Sequence, residues 1–88
     1  MLHMETPKEE PTAVRRAIAE ELQVARVRAG LTRDELAARS GVSRASVFRI
    51  ENAERDVKME QLWALAEALN VEPVDILQAA QDLLRKNK

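Results

Sequence analysis

The sequence predicts a single all-α domain, and three observations support that prediction. Among its 88 residues are two glycines, three prolines and 2% aromatic residues, a composition that favours helices over strands. Apolar residues recur at helical spacing in several segments. A chain of this length buries one modest core, so we do not expect a second domain.

The composition also limits the chemistry that we expect. The chain has no cysteine and one histidine, His3, so we expect neither disulfides nor a structural zinc site. No apolar run approaches the roughly 20 residues that a membrane helix needs, and the N-terminus does not resemble a secretory signal peptide. We therefore expect a cytoplasmic protein that has no cofactor and no membrane association.

The chain begins with a segment that lacks an apolar repeat. Pro7 and Pro11 lie among charged residues, so residues 1–11 are predicted to be a disordered arm and residues 12–88 the folded domain. Thr12 is a suitable N-cap for a first helix over about 13–29, which Gly30 ends. Its apolar side is formed by Val14, Ile18, Leu22, Ala25 and Ala29.

A capping box starts the second helix. The Thr32 hydroxyl can accept a hydrogen bond from the Glu35 amide, and the Glu35 carboxylate can accept one from the Thr32 amide. Ser40-Gly41 breaks this helix after about two turns. Ser43 then caps a third helix over about 44–52.

Two more helices follow a polar connector at 53–57. The fourth is predicted over about 59–69 and ends at Asn70. Its inward residues are Leu62, Leu65, Ala66 and Leu69. Pro73 suits the first turn of a fifth helix that continues to about residue 85. The apolar side of the fifth helix is formed by Ile76, Leu77, Ala80, Leu83 and Leu84.

Two short helices joined by a tight turn with one glycine are typical of the helix-turn-helix motif, whose second helix enters the DNA major groove. Ala37 is small where the two helices approach, and Gly41 suits the positive φ of the turn. Val42, Val47 and Ile50 fall on the side that the pair of helices buries. The spacing therefore predicts a DNA-binding motif.

The charge distribution agrees with that motif. The whole chain has 14 basic and 15 acidic residues, which alone would argue against nucleic acid. Residues 26–58 hold eight basic and five acidic residues, a local balance of plus three, and each flank has a balance of minus two. A basic centre between acidic ends indicates one surface that meets phosphates.

The sequence resembles the Cro/repressor family of phage and bacterial transcription regulators, also called the xenobiotic-response-element type, over residues 22–77. The resemblance rests on Arg26, Gly30 and four segments: 31–37 (LTRDELA), 41–43 (GVS), 50–52 (IEN) and 68–71 (ALNV). It implies a lambda-repressor-like five-helix bundle. It also implies a sequence-specific regulator of transcription, which we expect to be a repressor.

The resemblance implies one structural contact and reveals two departures. In the family, an arginine placed like Arg26 forms a largely buried ion pair with a glutamate placed like Glu51. Ala53 stands where the family usually has glycine, so we expect a less tightly turned exit from the third helix. Arg33 stands where the family commonly has glutamine, which keeps a phosphate contact possible and adds charge.

The third helix has a side that can read DNA. We expect Val47, Ile50 and Glu51 to face the core. A helix with 3.6 residues per turn then places another set of residues on its outer side, and these are Arg44, Ala45, Phe48, Arg49 and Asn52. Arginine can bridge guanine O6 and N7, and alanine or phenylalanine can contact a thymine methyl group. We therefore predict base contacts from Arg44, Ala45, Phe48 and Arg49. For Arg49 a phosphate contact is an equal alternative, and for Phe48 the alternative is partial burial against the second helix.

Polar residues at helix starts and in the connector commonly position a protein on phosphates. The predicted phosphate contacts are Arg33, Ser43, Ser46, Asn52, Arg55 and Lys58. For Arg55 and Lys58, ordinary surface charge is an equal alternative.

One recognition helix covers only a few base pairs, so specificity is expected to need a homodimer whose two copies are spaced by about 34 Å along a pseudo-palindrome. The predicted dimer interface is Met59, Trp63, Ile76, Leu77, Ala80, Leu83 and Leu84. Two alternatives stay open. For Met59 and Trp63, the alternative is packing in the core against the fifth helix. For the residues of the fifth helix, the alternative is that this helix caps the bundle and takes no part in a dimer.

Two other functions were weighed against the DNA-binding regulator. An antitoxin would bind a toxin through its termini while also repressing its own operon, but only residues 1–11 and the last few residues are available for that. A co-regulator would contact RNA polymerase. We do not expect an enzyme, because the sequence offers no paired carboxylates for a pocket, no useful histidine and no glycine-rich phosphate loop.

Overall fold

The computed structural model describes residues 10–86 and contains five helices and no strand within that range. The helices are α1 (Pro11–Arg28), α2 (Arg33–Ser40), α3 (Arg44–Glu51), α4 (Met59–Ala68) and α5 (Pro73–Lys86). The predicted all-α five-helix bundle is confirmed. Within the described residues, no helix combines the length and the apolar character that crossing a membrane requires.

Helix α1 begins earlier than predicted. Its N-cap residue is Glu10, with an extended backbone at φ −71° and ψ 144°, and Pro11 occupies the first helical position. Proline suits that position because its missing N–H would have no partner there in any case. The prediction that Thr12 caps this helix is therefore wrong. Residues 1–9 of the predicted arm, with His3, lie outside the described residues.

The capping box of α2, the turn between α2 and α3, and the cap of α3 form as predicted. The Glu35 amide donates to Thr32 Oγ1 at 3.0 Å, and the Thr32 amide donates to Glu35 Oε1 at 2.8 Å. The second of these bonds lowers the pKa of Glu35, because it stabilises the ionised carboxylate. Gly41 has φ 77°, and its amide donates to the Ala37 carbonyl at 2.9 Å. The Ser43 hydroxyl accepts from the Ser46 amide at 3.1 Å and so caps α3.

The core lies between the five helices, each of which contributes buried side chains. Its largest fully buried side chains are Leu22, Leu36, Val47, Ile50, Leu62 and Leu65. All four predicted inward residues of α4 are buried. Helix α5 packs mainly on α1 and contributes Ile76 and Ala80 to the buried set.

The exit from α3 is tight, although the sequence predicted a looser one. Ala53 has φ 58°, in the left-handed region that favours glycine. Its amide donates to the Ile50 carbonyl at 3.1 Å, and the Glu54 amide donates to the Arg49 carbonyl at 2.8 Å. This pattern satisfies the last carbonyls of the helix in the usual way. The expectation was wrong because these bonds hold alanine in the conformation that glycine would adopt.

Replacement of Ala53 by glycine should therefore stabilise the protein. We expect Ala53→Gly to raise the free energy of unfolding by about 1 kcal/mol, because it removes the clash of the Cβ atom in a left-handed residue. Urea denaturation measures the change. The matched control is Ala38→Gly in the exposed middle of α2, which should lower the free energy of unfolding by about as much. If both variants were destabilised alike, Ala53 would not be left-handed in solution.

Candidate nucleic-acid interface

Helix α3 has a buried side and an exposed side. Val47, Ile50 and Glu51 are 1%, 2% and 6% exposed, so this side packs into the bundle. The five residues predicted to face outward are all exposed: Arg44, Ala45, Phe48, Arg49 and Asn52. The predicted division of the helix into two sides is confirmed, and its outer side is free for a ligand.

An open cleft runs between the start of α2 and the outer side of α3. It is lined by Arg26, Thr32, Arg33, Asp34, Arg44, Ala45, Phe48, Arg49 and Glu54. Four of these nine residues are arginines. The paired N–H donors of a guanidinium group match the paired acceptors of a phosphate or of a guanine edge. The cleft therefore brings together all four predicted base-contacting residues and one predicted phosphate contact, Arg33.

A buried ion pair joins α1 to the end of α3. Arg26 Nε donates to Glu51 Oε2 at 2.7 Å, and Arg26 Nη2 donates to Glu51 Oε1 at 3.0 Å. Arg26 Nη1 also donates to the Leu31 carbonyl at 2.8 Å. The Glu51 side chain is only 2% exposed, so its charge depends on these donors. The pair fixes α3 on the bundle.

Arg33 adds a second cation to the same carboxylate. Its Nε donates to Glu51 Oε1 at 2.9 Å, and its guanidinium carbon lies 5.3 Å from the centre of the Phe48 ring. That distance permits a cation–π interaction. Phe48 is 47% exposed, so its ring is partly covered from the α2 side. This contact agrees with the alternative that Phe48 is partly buried against the second helix, but the sequence did not identify Arg33 as the partner.

Asp34 is a functional candidate that the sequence analysis missed. Arg44 Nε lies 2.8 Å from Asp34 Oδ1 in an ion pair, and the two side chains are 75% and 63% exposed. An ion pair this exposed is worth at most about 1 kcal/mol, so a ligand with suitable acceptors can replace it. The sequence contains one indication of this pairing, which is that Asp34 falls in the first turn of α2, near the start of α3.

Some of the predicted phosphate contacts lie exposed at the surface, and others already take part in hydrogen bonds within the bundle. Asn52 and Lys58 are exposed, and the Ser43 hydroxyl is already used as the α3 cap. Arg55 instead connects α3 with α4, since its Nη1 donates to Ser46 Oγ and its Nη2 to Gln61 Oε1, both at 3.2 Å. Ser46 and Arg55 therefore have structural partners within the bundle, which the sequence had not shown.

The predicted dimer interface divides according to burial. Met59 and Trp63 are 63% and 58% exposed, so the alternative that they pack in the core is wrong. Ile76 and Ala80 are 4% and 3% exposed, so they belong to the core and cannot be surface contacts. The other three residues are partly exposed along α5, and they are Leu77, Leu83 and Leu84.

The interface contains no arrangement typical of a metal site. Across residues 10–86 the structure shows no cluster of histidine, cysteine or carboxylate side chains that would hold a metal ion. Within the same range, every buried side-chain nitrogen or oxygen has a hydrogen-bond partner. The buried polar side chains beside the cleft, Arg26 and Glu51, therefore satisfy one another.

Comparison with known proteins gave one family and several similar structures. The helix-turn-helix family model matches residues 17–76. The restriction-modification controller protein C.AhdI from Aeromonas hydrophila is 31% identical with a TM-score of 0.70, over 73% of this chain and 97% of that one. The clp gene regulator ClgR from Corynebacterium glutamicum is 30% identical with a TM-score of 0.74, over 78% of this chain and 90% of that one.

A third similar structure covers nearly the whole chain. The hypothetical transcription factor NHTF from Neisseria is 26% identical with a TM-score of 0.74, over 97% of this chain and 95% of that one. A search of curated protein sequences found no match.

Proposed function

Because this chain belongs to the helix-turn-helix family and is therefore a DNA-binding regulator rather than an enzyme, we propose that it is a cytoplasmic repressor that binds a pseudo-palindromic operator as a homodimer. The predicted resemblance to the Cro/repressor family is confirmed by the family match. The observation that carries the proposal is the exposed side of α3, whose two arginines line the cleft beside α2. Repression requires only that the protein occupy its operator, which a DNA-binding domain can do alone.

Base and phosphate contacts are assigned to different residues. Arg44 lies at the start of α3, where recognition helices meet base edges, and we propose that it reads guanine. Arg49, Ala45 and Phe48 follow on the same exposed side. Arg33, Asn52 and Lys58 are proposed to hold the protein on phosphates, which sets affinity more than sequence preference.

The proposed dimer surface is on α4. Met59 and Trp63 are one helical turn apart, so their exposed side chains form one apolar patch. Tryptophan is enriched at protein interfaces, and a large exposed apolar group favours association. A second copy of the chain is the proposed occupant, because two recognition helices are needed to read a site of adequate length. Helix α5 then serves mainly to cap the bundle on α1.

The proposal is tested by selecting bound sequences from random duplex DNA. A two-fold symmetric site whose halves are about one helical turn apart is the expected result. A protein that shows no duplex affinity even in dilute salt would contradict the proposed function. The selected duplex also serves as the ligand for every binding experiment below.

The division between base and phosphate contacts predicts two different defects. Arg44→Ala should weaken binding to the selected duplex by roughly tenfold and relax the preference at one base pair in each half-site. Lys58→Ala should weaken binding to selected and random duplexes alike and make the salt dependence shallower by about one phosphate contact. Fluorescence anisotropy on both duplexes at several salt concentrations measures the two effects. Equal losses for both variants on both duplexes would contradict the division.

A further inference from the structure

We infer that Phe48 is a positioning residue, whose ring holds the Arg33 guanidinium ready for a DNA phosphate, and that it does not read a base. The inference rests on the proposed DNA binding and changes the role that the sequence assigned to Phe48. It also makes Arg33 a preorganised contact.

Arg33 is held by two groups of different kinds. The Phe48 ring lies 5.3 Å from its guanidinium carbon, and Glu51 Oε1 accepts from its Nε at 2.9 Å. The ring face attracts the cation from one side, and the carboxylate holds its Nε by a charge-assisted hydrogen bond. Within residues 10–86 no hydrogen bond uses Nη1 or Nη2 of Arg33, so these nitrogens are the donors left for a phosphate.

The carboxylate that holds Arg33 is itself buried and hydrogen-bonded. Glu51 is 2% exposed at its side chain and receives two further hydrogen bonds from Arg26. Arg33 is 36% exposed, so it extends from this buried anchor to the surface of the cleft. A free arginine side chain would lose more rotational entropy on contact with DNA than one that is already held. The arrangement therefore favours binding before any base is read.

The same geometry explains why Phe48 is tolerated on a polar surface. The residue is 47% exposed, and the Arg33 guanidinium carbon lies over its ring, 5.3 Å from the centroid. A contact with a thymine methyl group needs only apolar surface, which leucine would supply equally well. A cation–π contact needs an aromatic ring, so leucine cannot replace it. This difference in chemistry separates the two roles experimentally.

The test is a double-mutant cycle with Phe48→Leu, Arg33→Gln and the combined variant, measured on selected and random duplexes. We expect Phe48→Leu to weaken binding roughly two- to fivefold on both duplexes, with the selected sequence unchanged. In the Arg33→Gln background the same substitution should cause no further loss, because the group that the ring positions is gone. Phe48→Tyr keeps the ring and should restore binding to the level of the unaltered protein.

Three results would overturn the inference. They are a changed base preference in Phe48→Leu, losses that multiply in the combined variant, and a Phe48→Tyr variant as weak as Phe48→Leu. Thermal melting of each variant is the control for folding. We expect little change for the Phe48 variants, because Phe48 lies outside the core cluster, and a modest loss of stability for Arg33→Gln, which removes a hydrogen bond to Glu51. If the unaltered protein bound no duplex, the proposed function would fail as well. Binding by the unaltered protein with multiplied losses would remove only the role of Phe48.

Discussion

Arg26→Ala should lower the free energy of unfolding by about 3 kcal/mol, because it leaves the buried Glu51 carboxylate without its principal donors. In a domain of this size the melting temperature should fall by roughly 12–24 °C. Arg33 would still donate one hydrogen bond to Glu51, which limits the loss but does not replace two bonds from a buried guanidinium. Thermal and urea unfolding followed by circular dichroism measure the change.

The matched control is another arginine of α1. Arg15 Nε donates to Asp56 Oδ1 at 2.7 Å, but that aspartate side chain is 79% exposed. Arg15→Ala should therefore cost less than about 1 kcal/mol, as exposed ion pairs usually do. Similar melting curves for the two variants would mean that the Arg26–Glu51 pair does not stabilise the fold.

Trp63→Glu should convert the proposed dimer into monomers and weaken operator binding by on the order of 100-fold. The substitution places a charge in the centre of the apolar patch, and two such charges would face each other across a symmetric interface. Analytical ultracentrifugation gives the oligomeric state, and fluorescence anisotropy gives the affinity. Binding to a single half-site should change little, because the recognition helix is intact.

Val27→Glu is the control for added surface charge. Val27 is 62% exposed, close to the exposure of Trp63, but it lies on α1 outside the patch. This variant should remain dimeric and keep its affinity for the operator. If Trp63→Glu stayed dimeric while Leu77→Glu became monomeric, the interface would lie on α5.

The helices and most of the core could be predicted because they depend on local signals. The Thr32–Glu35 capping box, the Gly41 turn and the inward set of α4 each follow from spacing along one segment. The start of α1 was misplaced because Thr12 looked like a cap, whereas Pro11 already fits the first turn. The residues predicted to form the apolar side of α5 do lie along one side of that helix. Their spacing could not show which of them α1 would cover.

The contacts within the cleft could not be predicted for a different reason. Asp34 with Arg44, and Arg33 with Phe48, are pairs in which each partner comes from another helix. Their distances depend on how α2 and α3 cross, and hydrophobic spacing does not determine that angle to within a hydrogen bond. Arg55 was ambiguous for the same reason, because its partners are on α3 and α4. Sequence reasoning found which residues are at the surface but not how they pair.

If Arg44 reads a base as proposed, its ion pair with Asp34 makes DNA binding an exchange of partners. In the free protein the Arg44 guanidinium already has an anionic partner 2.8 Å away, so a duplex must interact with Arg44 more favourably than Asp34 does. A guanine edge does so with two acceptors in one plane. A mismatched base does not, and the carboxylate then remains close to the negative groove. Asp34 thus competes with DNA for Arg44. A base sequence binds well only if its contacts with Arg44 are more favourable than the ion pair that they replace.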